Sequence, residues 1–407
     1  MEPRIVITGF GVISAIGIGK DETLAALERG ESGVAPVKYL ETGLKDFPVG
    51  EVKATDLQLK SIAGIERDET ISRTSLLGVI SLREACVQAG LSGEDLRKRT
   101  TLICGTTVGG MDLSEKCYLE MISDNAQCTD VIRVHDCGAT TAKIADAIGG
   151  VRAITTPSTA CSSAANAMIL GANLILSGQA DIVAAGASEC LSSFHLNGFN
   201  SLMILDRQRC RPFDANRQGL NLGEGAGFVI LETLESARAR GAKPVGELLG
   251  YGNACDAFHQ TASSPEGEGA FLAMTQALSK GKTSPEEIDY INAHGTGTPN
   301  NDASESAAIR RVFGDRLPKI SSTKAFTGHT TSASGAIETA FCLLAAESGF
   351  IPGNIGWENA DANCITPTLG GNSPGPLRKI LCNAFGFGGN DSSLLLGRFD
   401  DDEECLR

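Results

Sequence analysis

Cys161, His294 and His329 are the side chains of this 407-residue chain whose types and settings could do chemistry. Cys161 stands in TACSSA, Thr159 to Ala164, between a β-rich run and a long small-residue helix. His294 stands in NAHGTGTP, and His329 closes KAFTGH. One thiol and two imidazoles on separate glycine-rich turns suit covalent catalysis on an acyl group. The sulfur attacks a carbonyl, and the imidazoles manage protons and developing charge. The turn before SSAANAMILG places Cys161 at a helix N-terminus. Unpaired backbone N–H groups there favour negative charge, so a lowered thiol pKa is expected. The small neighbours Ala160, Ser162 and Ser163 leave room for a substrate carbonyl, and the same N–H groups suit an oxyanion. A helix head and the nearby Lys324 both disfavour imidazolium at His329, which is therefore expected to be neutral and able to donate to an enolate oxygen. The bland alternative for Cys161 is an inert core cysteine, in a chain that has 13 cysteines. For a histidine it is a packed, hydrogen-bonded ring, which is the expectation for His135, His195 and His259. No carboxylate or third histidine lies at ligand spacing beside His294 or His329, so no metal is expected.

The elements that must position these groups can be read from the apolar pattern. RIVITGFGVIS, TTLICGTT, AITTPSTA and DIVAAGASE read as buried strands, and TSLLGVISLREACVQAG and SSAANAMILGANLILSG as helices. A second series starts near Val245, with strand VGELLGYGNACD, helix GEGAFLAMTQALSKG, and strand IDYINAHGTGT delivering His294 at its C-terminal end. KILCNAFGFGGNDSSLLLGRF reads as a closing hairpin around a glycine loop. ITTPSTACSSAANAMILGANLI and ISSTKAFTGHTTSASGAIETAF share a strand, a Ser/Thr-rich turn, a reactive side chain and a small-residue helix. That order predicts a duplicated α/β architecture, with residues 1–244 carrying the cysteine and 245–407 carrying both histidines. The tail DDEECLR is expected to fray.

Composition narrows the partners. A formal charge of −14 repels phosphate backbones and anionic membranes, so neither nucleic acid nor membrane is expected. The apolar stretch from Ala164 to Ala187 is broken by Asn166, Asn173, Gln179 and Asp181, and reads as helix, turn and strand rather than a membrane span. The cysteines are scattered, without a CxxC pair, and the start lacks a basic segment with an apolar run behind it. Reduced thiols in a cytoplasmic protein are expected.

Taken together, TACSSA, NAHGTGTPNND, KAFTGH and NAFGFGG (Asn383 to Gly389) resemble the β-ketoacyl-acyl-carrier-protein synthases of the elongating type, over essentially the whole chain. The resemblance implies a thiolase fold, two duplicated α/β halves in a five-layered α-β-α-β-α arrangement. It also implies a homodimer, or a heterodimer with a related subunit. The implied reaction is decarboxylative condensation of an acyl thioester with malonyl-carrier protein, giving a 3-oxoacyl product in fatty acid or polyketide biosynthesis. Cys161 would take the acyl chain. His294 and His329 would drive decarboxylation and steady the enolate, with Lys324 organising the site through Glu338. The N–H groups of Cys161 and Phe387 would form an oxyanion hole, with Phe387 also gating the malonyl pocket. Thr296 and Thr298 would hold the pantetheine arm, Val108 and Phe385 would line the substrate pocket, and Asp302 and Glu305 would be structural supports. No cofactor is implied beyond the phosphopantetheine of a carrier protein acting in trans. That carrier would dock on Arg207, Arg209 and Arg211, with Arg67 and Arg73. A His/His pair sets the chain apart from starter-condensing relatives, and an intact cysteine from chain-length factors. Cys382, near the loop where thiolases keep a second cysteine, reads as core. Two alternatives stay open: a thiolase-like acyltransferase on coenzyme A, and a helper subunit of the same fold. Thr330, Thr331 and Ser332 stand where apolar residues are common in the family, Thr106 and Thr107 precede Val108 in the pocket-lining stretch, and Asn390–Asp391 departs from the family's usual step. These polar substitutions suggest a specialised pathway, polyene or polyketide, rather than housekeeping fatty acids.

Overall fold

The computed structural model describes residues 3–122, 129–372 and 377–400; the tail expected to fray lies outside them. The strands are β1 (Ile5–Ser14), β2 (Gly17–Ile18), β3 (Thr100–Gly105), β4 (Ala153–Thr155), β5 (Ile182–Glu189), β6 (Gly225–Thr233), β7 (Gly246–Cys255), β8 (Tyr290–Asn292), β9 (Lys319–Ser321), β10 (Phe350–Ile351), β11 (Gly371–Asn372), β12 (Lys379–Gly386) and β13 (Asn390–Gly397). The helices that matter here are α1 (Arg73–Gln88), α2 (Met111–Ile122), α3 (Ser163–Leu176), α4 (Ser193–Ser201), α5 (Glu268–Lys280), α6 (Pro299–Phe313) and α7 (Ser334–Ser348).

Duplication is visible in the strand order. One set of five runs β4-β3-β5-β6-β1 and the other β9-β8-β12-β13-β7. Counted within each set, both orders are 3-2-4-5-1. The pairing sense also repeats. β3 is parallel to β4 and β5, as β8 is to β9 and β12. β6 is antiparallel to β5 and β1, as β13 is to β12 and β7. The sets join through Val6↔Glu247 and Ile7↔Gly246 between β1 and β7.

The layers follow from the period-two alternation of the strands. Ile182 and Ala184 of β5 face outward to Leu76, Val79 and Leu82 of α1. Val183, Ala185 and Ala187 face inward to Ala164, Ala167 and Met168 of α3 and to Ala336, Ala340 and Phe341 of α7. Ile380, Cys382 and Ala384 of β12 close that central layer from the other side. Leu381 and Phe385 turn outward to Ala270 and Met274 of α5 and Ala308 and Ile309 of α6. The result is helices, sheet, paired helices, sheet and helices. Small residues make the centre possible. A Cβ on Gly227 of β6 would lie 2.6 Å from the backbone carbon of Ala336, so strand and helix touch backbone to backbone.

Two strands are shorter than their apolar patterns. β4 stops at Thr155, two residues before Pro157, which cannot donate to a ladder. β8 stops at Asn292, ahead of Gly295 and Gly297, both at positive φ. The shortening frees Cys161 and His294 from the sheet and sets both on loops beyond strand ends. The stretch from Ala164 to Ala187 is helix and strand as expected, and no described helix is long and apolar enough to cross a membrane.

Candidate active site

Cys161 sits on a tight turn between β4 and α3. Ala160, just before it, has φ +52, a left-handed conformation that a non-glycine residue seldom adopts. Side-chain bonds hold the turn: Ser162 Oγ donates to Thr159 O at 2.7 Å, and Ser163 Oγ donates to Ala160 O at 2.7 Å. Asn390, at the start of β13, clamps it from the other half, its Oδ1 accepting from Ser162 Oγ at 2.8 Å and from Asn166 Nδ2 at 2.7 Å.

His329 Nε2 lies 3.0 Å from Cys161 Sγ, and its Nδ1 lies 3.0 Å from Ser334 Oγ. The His294 ring stands edge-on to that of His329, centroids 5.2 Å apart, with Phe385 at 5.7 Å on another side. Nδ1 of His294 is buried and has no hydrogen-bond partner among the described residues. The loop bearing His294 is fixed by Glu305, which accepts from His294 N at 2.9 Å, Gly295 N at 2.7 Å and Asn383 Nδ2 at 3.1 Å. Asp302 does the same for its neighbourhood, accepting from Phe213 N and Gly297 N. Lys324 is buried, with Nζ donating to Glu338 Oε1 at 2.6 Å.

Electrostatics correct one expectation. Burial pushes the Cys161 thiol up to about 12, opposed by the Lys324 charge and a backbone hydrogen bond from Phe387. The helix N-terminus does not outweigh desolvation. Burial thus favours the thiol form, and the His329 imidazole that touches the sulfur is placed to take its proton. Burial also holds His294 and His329 well below the usual imidazole range, with Lys324 adding to both. A neutral ring was expected at His329, with burial now the leading cause.

The structure thus gathers Cys161, His294, His329, Lys324, Glu338, Phe385 and the Phe387 backbone. The Phe387 ring stacks on Phe199, centroids 5.8 Å apart, and Phe199 meets His195 at 5.0 Å. Thr296 and Thr298 bond to each other at 2.9 Å on the His294 loop, and Val108 is buried just past the end of β3. Cys382 is core, as expected. His195 is packed, as expected, but stands close enough to His329 to affect its charge; His135 and His259, expected to be packed as well, are exposed.

Arg73 does not belong to a docking surface. It is buried in the first turn of α1, donating to Glu224, to Asp56 at 2.7 Å and to Val52 O. Arg67, Arg207 and Arg209 are exposed, although Arg207 already pairs with Asp46 at 2.9 Å, and Arg211 is half-buried. The polar residues that depart from the family pattern are also explained without a substrate. Thr106, Thr107, Thr331 and Ser332 all donate to Glu189, and Thr330 bonds to Ser334. Glu189 and Ser334 were not singled out from the sequence, and Asn390 was noted only as a departure from the family's usual step. Only the clustering of hydroxyl residues at Thr106–Thr107 and Thr330–Ser332 hinted that something must satisfy them.

The chain matches the Beta-ketoacyl synthase, N-terminal domain, over residues 2–237, and the Beta-ketoacyl synthase, C-terminal domain, over 245–358. It is 35% identical to Nodulation protein E of Rhizobium meliloti (strain 1021), over 97% of this chain and 99% of that one. It is also 35% identical to 3-oxoacyl-[acyl-carrier-protein] synthase 1 of Escherichia coli (strain K12), over 98% of this chain and all of that one. Among solved structures it resembles the ishigamide ketosynthase/chain length factor, with a TM-score of 0.90, 34% identity and coverage of 98% and 100%. With a cysteine, two neutral histidines and a buried lysine assembled on a duplicated α/β scaffold, the chain belongs to the β-ketoacyl synthase family.

Proposed function

We propose that this chain condenses an acyl thioester with malonyl-acyl carrier protein, releasing carbon dioxide and giving a 3-oxoacyl-acyl carrier protein for fatty acid or polyketide synthesis. The observation that carries this is the 3.0 Å contact between Cys161 Sγ and His329 Nε2, with neutral His294 alongside. In the first half-reaction the thiol proton passes to His329 Nε2 and the sulfur attacks the acyl carbonyl. The carrier thiol leaves with a proton, and an acyl-cysteine remains. The Phe387 N–H, already bonded to Cys161, suits the oxyanion of that step. In the second, the malonyl thioester loses carbon dioxide. For this step His329 must carry its proton on Nε2, the tautomer opposite to the one that accepts the Cys161 proton, with Nδ1 accepting from Ser334 Oγ. So held, His294 and His329 are neutral donors that steady the enolate oxygen, and its carbon attacks the acyl-cysteine. The C–C bond forms as the C–S bond breaks, and the thiolate takes up from solvent the one proton that the overall reaction consumes. Lys324 biases both imidazoles toward the neutral form.

Thr296 and Thr298 are proposed to meet the pantetheine arm, Val108 and Phe385 the substrate, and Phe387 to gate between the two half-sites. The carrier brings the only prosthetic group this chemistry needs, and Arg67, Arg207, Arg209 and Arg211 remain its docking candidates. Pairing with a second copy or with a chain-length-factor-like subunit is proposed, the latter supported by the ketosynthase/chain length factor that the fold resembles. A reducing, cytoplasmic setting is supported by unpaired thiols at every described cysteine.

The test is intact-protein mass spectrometry with acyl carriers, alongside carbon dioxide release from malonyl carrier. Cys161→Ala is expected to lose the acyl adduct and keep some decarboxylation, and His294→Ala or His329→Ala to lose decarboxylation. An acyl adduct forming normally on Cys161→Ala would refute the assignment.

A further inference from the structure

Glu189 ends β5 and is fully buried. Its two oxygens collect donors from two separate segments. From the loop after β3 come Thr106 Oγ1 at 2.7 Å, Thr107 N at 2.9 Å and the Thr107 hydroxyl. From the turn after His329 come Thr331 Oγ1 at 3.1 Å and Ser332 Oγ at 2.6 Å. Among the described residues no lysine or arginine pairs with it. A buried carboxylate satisfied entirely by hydroxyl and backbone donors defines geometry rather than balancing charge.

The turn needs such an anchor. Thr331 has φ +45, a conformation that crowds a β-branched side chain and persists only where the surroundings over-determine it. The His329 backbone is pinned separately, its N–H donating to Asn221 O at 2.7 Å and its carbonyl accepting from Gly223 N at 3.0 Å. What that pinning leaves free is the rotation of the ring. The ring is held by Ser334 Oγ on Nδ1, and Thr330 Oγ1 lies 3.3 Å from the same hydroxyl. Thr330 and Ser334 flank the residues Glu189 holds.

We propose that Glu189 is a positioning residue of the Cys161–His329 pair. It locks the strained turn at Thr331 and Ser332, so that Ser334 aims Nε2 of His329 at the cysteine sulfur. The inference rests on the assignment of Cys161 as the group His329 activates.

The experiment is the rate of carbamidomethylation of Cys161 by iodoacetamide, followed by peptide mass spectrometry in the full-length chain across pH, with exposed Cys255 as internal reference. Glu189→Gln is expected to slow Cys161 alkylation about tenfold, with Cys255 unchanged. In a His329→Asn background the same substitution is expected to cause no slowing, since there is no imidazole to aim. A purely electrostatic role predicts the opposite sign, because the Glu189 charge opposes the Cys161 thiolate. Faster alkylation of Glu189→Gln, no change, or equal slowing in both backgrounds would each overturn the proposal. Should Glu189→Gln fail to fold, Ser332→Ala removes only one bond and is expected to slow Cys161 in the same His329-dependent way; an unchanged rate overturns it too. Failure of the condensation assignment is distinguishable. It would leave Cys161 alkylating through His329 while never accepting an acyl group from a carrier.

Discussion

At the scale of single residues, desolvation outweighs local polarity. Cys161 heads a helix, yet burial raises its thiol to about 12, and Cys86, Cys104 and Cys210 are raised to the same value from an ordinary 9.0. These shifts have a sign in stability. Between the unfolded and folded values the native state holds protons the unfolded chain has released. Stability is full below pH ~9 and falls through the window up to pH ~12, by about 1.4 kcal/mol per unit for each thiol. Urea midpoints under reducing conditions are expected to drop between about pH 8 and about pH 10, and a flat profile would contradict the burial of these thiols. Lys324 and Glu338 give a second residue-level prediction. Glu338 Oε2 has no partner among the described residues, so the pair depends on one bond. Lys324→Met leaves a buried carboxyl unpaired and is expected to cost ~3–5 kcal/mol. The double variant with Glu338→Met should recover most of that stability in a thermal melt. It should recover decarboxylation only in part, because the Lys324 charge that adds to burial in holding both imidazoles neutral is gone.

At the scale of elements, each catalytic group hangs beyond a strand end on a segment that glycine or proline has freed from the ladder. The two central helices, α3 and α7, then bring the groups together, because alanine and glycine let them approach the sheets closely. Gly227→Ala puts a methyl against the Ala336 backbone, where no side chain can rotate aside. It is expected to destabilise the fold by ~1–3 kcal/mol through overpacking. Because it pushes α7, which carries Ser334, it should also slow Cys161 alkylation. A melt unchanged from wild type would show that the two layers tolerate separation.

At the scale of the whole molecule, one end of the sheet is open. Every residue of the edge strand β4 is exposed, and Ile154 is 43% exposed. An apolar edge strand without cover is a pairing surface. Tyr118, Ile132 and Phe194, all exposed, surround a separate cavity of about 1230 Å³ that contains none of Cys161, His294 or His329. The proposed pairing with a second subunit would cover this edge. Ile154→Lys is expected to shift the protein toward monomer in sedimentation velocity while leaving the melting profile of the chain near that of wild type at low concentration. An unchanged sedimentation coefficient would remove β4 from the assembly interface.

Much of this was legible in the sequence because it is local. A helix-heading cysteine, a histidine at a strand end and a closing glycine loop are set by turn residues within a few positions of each group. The duplicated order of strand, turn and small-residue helix reads directly from hydropathy. Three things required the folded chain. Arg73 looks like a surface arginine until Glu224, 151 residues away, is seen beneath it. Thr106, Thr107, Thr331 and Ser332 look like pocket polarity until Glu189 is found to receive all four. The direction of the thiol pKa depends on how much water the surrounding layers remove. Short-range sterics and hydrogen-bond propensities are written into neighbouring residues, whereas burial and long-range pairing exist only once distant segments have packed, and those are what select which groups keep their charge.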